Sequence, residues 1–293
     1  MERIVVLKTY KIFIGGQFPR TESGRYYPLL NDKKEVIANM CLSSRKDFRN
    51  AVQVARNAQT SWSERAAFNR AQILYRLAEI IEGRKAQFVE ELILQGVTAK
   101  QAEKEVQQTI DCCVYYCGWC DKYQQLFSAV NPVASSHFNF SVLEPMGVVA
   151  IIAPEESSLL GLISVILPVI AGGNTCVVLA SESKPLCSIT LAEALATSDL
   201  PAGVVNILTG NTAELAGQFS SHMDVNACLY TRNDDKEKKI MAENASLNVK
   251  RSVSWHEDWN NSSTQNPYKI LDFQETKTTW HPIEQIGVSG AKY

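Results

Sequence analysis

From Gly147 to Ala245 the chain alternates short, unbroken apolar runs with amphipathic stretches. Gly147-Val-Val-Ala-Ile-Ile152 is followed by a helical pattern from Ser157 to Ile170, then by Thr175-Cys-Val-Val-Leu179 and a second helical pattern from Lys184 to Thr197. Val204-Val-Asn-Ile-Leu208, Thr212 to Ser220, Val225 to Tyr230 and Lys236 to Ala245 continue the series. A strand that is apolar at every position has both faces buried. Strands of that kind, each followed by a helix, form right-handed βαβ crossovers around a parallel sheet. The fold class is therefore α/β.

The parallel βαβ sheet makes residues 132–254 Rossmann-like. A further strand, Phe138-Asn-Phe-Ser-Val-Leu143, leads into it and ends at Glu144-Pro145. Gly172-Gly173 lacks the G-x-G-x-x-G spacing of a phosphate loop and reads as a helix C-cap. Upstream, residues 1–131 read as an N-terminal β-hairpin unit followed by long helices. Tyr10-Lys-Ile-Phe-Ile14 alternates and Gly15-Gly16 turns the chain. Arg25-Tyr-Tyr-Pro28 and Glu35-Val-Ile-Ala38 are short strands. Ser44 is placed to cap a helix with apolar positions at Phe48, Val52, Val54 and Ala55. A second helix is expected from Ala66 to Leu94 and a third from Ala99 to Phe127. Residues 255–293 form an irregular tail, rich in Asn, Ser, Asp and His from Trp255 to Gln265, with a terminal strand expected at Thr276–Trp280.

Charge and hydropathy exclude several function classes. A net charge of −2 provides no basic footprint for nucleic acid and no polybasic membrane patch. The longest apolar stretch, Leu159 to Ala171, is interrupted by Ser164 and Pro168 and is shorter than the ~20 residues of a membrane span. Met1 to Lys8 is too short an apolar run for a signal peptide. These features point to a cytoplasmic chain with its cysteines as free thiols.

Cys112, Cys113, Cys117 and Cys120 crowd one segment. A redox Cys-x-x-Cys needs a helix N-terminus to lower the first thiol's pKa, whereas Cys117 falls more than four turns into an expected helix. A zinc site needs four ligands, and neither a second Cys-x-x-Cys nor paired histidines exist. Cys113, Cys117 and Cys120 stand at i, i+4 and i+7, on one helix face, where small thiols fill space. No metal site is expected.

Tyr115-Tyr-Cys-Gly-Trp-Cys-Asp121, Phe13-Ile-Gly-Gly-Gln-Phe18, Glu144-Pro-Met-Gly-Val-Val149, Ala171-Gly-Gly-Asn-Thr175 and Leu200-Pro-Ala-Gly-Val-Val-Asn-Ile207 resemble, in order and spacing, the motifs of the aldehyde dehydrogenases. The likeness covers about residues 10–254. With the opening Lys8-Thr-Tyr-Lys-Ile-Phe-Ile14, the chain is most similar to the degenerate second module of the two-module family-16 members, cut before the catalytic half. The resemblance implies oxidation of an aldehyde to a carboxylic acid with NAD or NADP, by a cysteine nucleophile and a glutamate base. It also marks departures. Glu156 stands where the family has an asparagine that donates to the oxyanion. Leu179 replaces a lysine of the cofactor ribose site, while Glu182 is kept. Tyr230-Thr-Arg-Asn-Asp-Asp-Lys-Glu237 puts Arg232 and Glu237 where the family has glycines beside the pyrophosphate. Trp255 falls at the position of the base, and no cysteine follows Cys228.

The expectation is thus a catalytically degenerate module with a structural or protein-interaction role, partnered by a catalytic aldehyde dehydrogenase module or a second copy of itself. No catalytic residue is assigned, no cofactor is expected, and Glu182 is the one remnant of a cofactor site. The alternatives are an NAD(P)-dependent aldehyde oxidoreductase and a non-catalytic nucleotide-binding module. Glu155 and Glu156 are read as a solvated loop, not an acid–base pair.

Overall fold

The computed structural model describes residues 6–283. The outermost parts of the first and last segments, 1–5 and 284–293, lie outside the described residues. Strands β1 (Thr9–Tyr10), β2 (Tyr26–Leu30) and β3 (Val36–Cys41) form a small sheet in which β2 pairs antiparallel with β3 and β1 runs parallel to it. Ser44 caps helix α1 (Arg45–Ser63) in a reciprocal capping box with Asp47. The buried stripe of α1, from Phe48 through Ala55 to Trp62, lies on the central sheet.

The expected helix from Ala66 to Leu94 is two helices, α2 (Ala67–Gly83) and α3 (Lys85–Leu94). Arg84 leaves helical geometry at the joint, and its guanidinium is held by Glu193 and the Thr190 carbonyl, far along the chain. The expected helix from Ala99 to Phe127 is also interrupted. Helix α4 (Ala99–Cys117) ends at Gly118, and α5 (Tyr123–Phe127) follows a turn. Cys120 therefore lies in that turn, buried, and does not extend the helix face of Cys113 and Cys117.

Strands β4 (Ala129–Asn131) and β5 (His137–Pro145) come next. The alternating core then runs β6 (Val148–Ile152), α6 (Leu160–Ala171), β7 (Thr175–Leu179), α7 (Leu186–Thr197), β8 (Val205–Leu208), α8 (Thr212–Ser221), β9 (Ala227–Tyr230), α9 (Asp235–Ser246) and β10 (Arg251–Ser254). These strands form one parallel sheet in the order β10-β9-β6-β7-β8. Along β6, Val149 and Ile151 enter the core shared with α4, α6 and α7. Val148, Ala150 and Ile152 enter the core shared with α1 and α8. Burial on both faces is the physical reason for the unbroken apolar runs.

The chain continues through an irregular stretch to α10 (Tyr268–Leu271) and β11 (Gln274–Pro282). Strand β11 covers the expected Thr276–Trp280 and pairs antiparallel along the whole of β5, whose other edge carries β4. The strand at Phe138–Leu143 thus belongs to this second small sheet and not to the parallel one. The tail is tied to the core. Trp255, Trp259, Ile270 and Phe273 are buried with α4 and α6, and Gln274 donates to the Gly172 carbonyl at 3.0 Å. A Cβ at Gly172 would collide with that amide, which accounts for glycine at the end of α6.

Candidate functional site at the carboxyl edge of the parallel sheet

In open α/β sheets, ligands bind beyond the carboxyl ends of the strands, at the point where strand order reverses. The chain here steps outward from β6 to β7 and β8, then returns to place β9 and β10 on the other side of β6. The reversal lies between β6 and β9. The residue that fills it is Arg232, two positions past the end of β9 and 8% exposed.

A guanidinium has five N–H donors in a planar fork, and all three nitrogens of Arg232 are engaged. Nε donates to the Ala153 carbonyl past β6 at 3.0 Å, and one terminal nitrogen to the Ala180 carbonyl past β7 at 3.0 Å. That same nitrogen pairs with Glu155 Oε2 at 3.2 Å. The other terminal nitrogen reaches Glu182 Oε1 at 3.3 Å and the Thr212 hydroxyl.

The two carboxylates are themselves held. Glu155 accepts from the Ser183 amide at 2.8 Å, the Ser183 hydroxyl at 2.7 Å and the Glu182 amide at 3.1 Å. Burial disfavours its charge. Arg232 and these donors outweigh burial and hold the carboxyl below its ordinary range. Glu182, expected as a cofactor remnant, accepts from the Thr212 amide at the start of α8 and from Asn211 Nδ2 at 3.3 Å. Glu155 is therefore not part of a solvated loop: it turns inward to Arg232, while Glu156 is exposed. The adjacent side chains diverge, so they make no acid–base pair. Leu179, at the former lysine position, is buried within β7.

Three of the helix starts on this edge, those of α6, α8 and α9, show one pattern, while the first amide of α7 takes the side-chain oxygen of Gln95. Glu105 of α4, 8% exposed, puts Oε1 on the amides of Leu159 and Leu160 at 3.0 and 3.1 Å and on the Ser157 hydroxyl at 3.0 Å. Asp234 caps α9, accepting from the amides of Lys236 and Glu237 at 2.8 and 3.0 Å. Glu182 does the same for Thr212 of α8. Helix N-terminal amides are natural anion sites; these amides hold the chain's own carboxylates. Sequence reading missed Glu105. Its signal was a carboxylate on the buried face of α4, between Ala102 and Val106.

Trp255, at the position of the base, is 7% exposed and donates its indole N–H to Asp272 Oδ2 at 2.8 Å. The buried Lys269 ammonium sits 4.9 Å from its ring centroid and 5.5 Å from that of Trp259, and pairs with Glu257 at 2.6 Å. All eight cysteines are free, and all but Cys117 are buried. Burial pushes the thiols of Cys112, Cys120 and Cys228 up to about 12, and those of Cys113 and Cys187 well above their ordinary value. Such thiols carry almost no thiolate at neutral pH. Among the described residues, no group of three or more His, Cys, Asp or Glu is placed to hold a metal, and no helix is long and apolar enough to cross a membrane.

The aldehyde dehydrogenase family model matches residues 20–254. This chain belongs to the aldehyde dehydrogenase family. It is 30% identical over 257 residues to the cytosolic 10-formyltetrahydrofolate dehydrogenase of Mus musculus, covering 86% of this chain and 28% of that protein. It is 30% identical over 250 residues to the omega-crystallin of Enteroctopus dofleini, covering 84% and 50%. The NAD+ complex of an aldehyde dehydrogenase from Bacillus cereus superposes with a TM-score of 0.80 at 26% identity, over 85% of this chain and 51% of that one. The chain thus spans about half, or less, of the length of these relatives. Its match covers the helices and the parallel sheet described above, an NAD-binding fold in this family.

Proposed function

We propose that this chain is a catalytically inert aldehyde-dehydrogenase module with a structural or protein-interaction role. The observation that carries the reading is the state of its thiols: each is buried in the core except that of Cys117, which is half-buried at the end of α4 with its pKa raised by burial. Aldehyde oxidation through a thiohemiacetal needs an accessible thiolate, a donor for the oxyanion and a base. In their places the chain offers buried thiols, the exposed carboxylate of Glu156 and the indole of Trp255.

The partner is a catalytic aldehyde dehydrogenase module or a second copy. The second small sheet suits such contact, since β11 is exposed along most of its length and Val130, Phe138 and Trp280 expose apolar surface on the same sheet. One observation favours nucleotide binding without turnover. A cleft of about 690 Å³ lined by Tyr27, Leu42 and Asn211 opens beside Glu182. Glu155 and Glu214 share that wall and disfavour a phosphate.

The test is absorbance in the reduced-nicotinamide band with NAD+ or NADP+ and a panel of aliphatic and aromatic aldehydes. The expected result is no turnover. Turnover abolished by one Cys→Ala substitution overturns the proposal.

A further inference from the structure

We infer that Arg232 is the resident occupant of the crevice at the strand reversal: its guanidinium, in place of a diffusible ligand, ties the strand ends and the α8 start together and closes the crevice to a dinucleotide. The inference does not depend on whether the chain turns over an aldehyde.

The first support is the commitment of the donors. All three guanidinium nitrogens are engaged: hydrogen bonds go to Ala153, Ala180, Thr212 and Glu182, and Glu155 is ion-paired, so charge and donors are already committed when a phosphate arrives. The second is the state of the amides. A pyrophosphate would have to displace Glu182 from Thr212 and Asp234 from Lys236 and Glu237. It would then face those carboxylates, with the nearest cation already neutralised. The third is connectivity. From the end of β9, Arg232 reaches the ends of β6 and β7 and the start of α8 at once. Without it, Glu155 and Glu182 would lose their shared cation, and two strand-end carbonyls would lose donors.

A corollary follows from the shape of the acceptor set. Two carbonyls, two carboxylates and a hydroxyl converge on a planar fork of donors. Deleting the side chain leaves a hole that a guanidinium fits and an ammonium does not.

The experiment is thermal unfolding of the full chain and of Arg232→Gly, with and without millimolar ethylguanidinium or ethylammonium. Breaking a buried charge network of this kind is expected to lower Tm by about 6–10 °C. Ethylguanidinium should restore at least half of that loss, ethylammonium should not, and the unsubstituted chain should gain nothing from either. An unchanged Tm in Arg232→Gly, or equal response to the two cations, overturns the inference. If Arg232→Gly folds poorly, Arg232→Lys keeps the charge but not the fork. It is expected to melt several degrees below the unsubstituted chain, and equal stability overturns the inference. In the same assay NAD+ and NADP+ should leave the unsubstituted chain's Tm unmoved; a rise at micromolar dinucleotide also overturns it.

Discussion

Glu105→Ala removes the carboxylate oxygen that receives the first two amides at the start of α6. Oε1 receives the Leu159 amide, the Leu160 amide and the Ser157 hydroxyl. Three charged hydrogen bonds at the full value for each would overstate the cost, because they share one atom and because the adjoining charged cleft, about 510 Å³ and lined by Glu105 itself, can admit water once the side chain is gone. Loss of an N-cap accounts for about 1–2 kcal/mol, and loss of a partly buried carboxylate at a helix N-terminus for about 1–2 kcal/mol more. The expected destabilisation is therefore about 3 kcal/mol, or a urea midpoint lower by about 1 M. Glu105→Gln keeps an acceptor at the same atom and loses only the charge, so it should cost about 1–1.5 kcal/mol. The assay is urea unfolding of the three proteins followed by circular dichroism. Glu105→Ala within 1 kcal/mol (about one cap) of the unsubstituted chain, or Glu105→Gln as damaging as Glu105→Ala, would refute this account of the α6 start.

Three further outcomes are expected. Cys117→Ala and Cys120→Ala should each change stability by less than about 1 kcal/mol, since alanine nearly conserves volume and, among the described residues, the thiols' one hydrogen bond is that of Cys120 to the Tyr116 carbonyl; bound metal in the unsubstituted chain, or a much larger loss in either variant, would show chemical work by the thiols. Burial raises the Glu91 carboxyl above its ordinary 4.5 despite the Thr190 and Tyr10 hydroxyls. Its contribution to stability is then full below about pH 4.5 and lost as pH rises through the folded pKa, so Glu91→Gln should flatten the fall in urea midpoint over that range. Lys269→Met should cost about 3 kcal/mol by leaving Glu257 without its cation, and Lys269→Met with Glu257→Gln should recover much of it, measured by the same unfolding.

The parallel sheet was legible because burial on both faces writes itself as unbroken apolar runs, and β6 and β7 lie where those runs fall. Strand β10 left no such trace. It is an edge strand, and Arg251-Ser-Val-Ser is polar enough to read as loop. The helix breaks at Arg84 and Gly118 were hidden for another reason. The apolar period continues across both and outweighed the single glycines Gly83 and Gly118, and the Arg84 guanidinium is held at the first joint by Glu193, which no local pattern reports. At the site, the sequence displayed the loss of glycine at Arg232 and the survival of Glu182. It could not display that these two residues face each other, with Glu155 as a third member. The side chain read as an obstacle is an ion-paired tie between strand ends, and the residue read as a ribose remnant is one of its anchors.

The most direct measurement is calorimetric titration of the chain with NAD+ and with NADP+. If Arg232 and the chain's own carboxylates fill the anion positions of the crevice, no saturable heat should develop up to millimolar cofactor. A saturable isotherm with a Kd in the tens of micromolar, lost in Glu182→Ala, would contradict the account and make this a nucleotide-binding module.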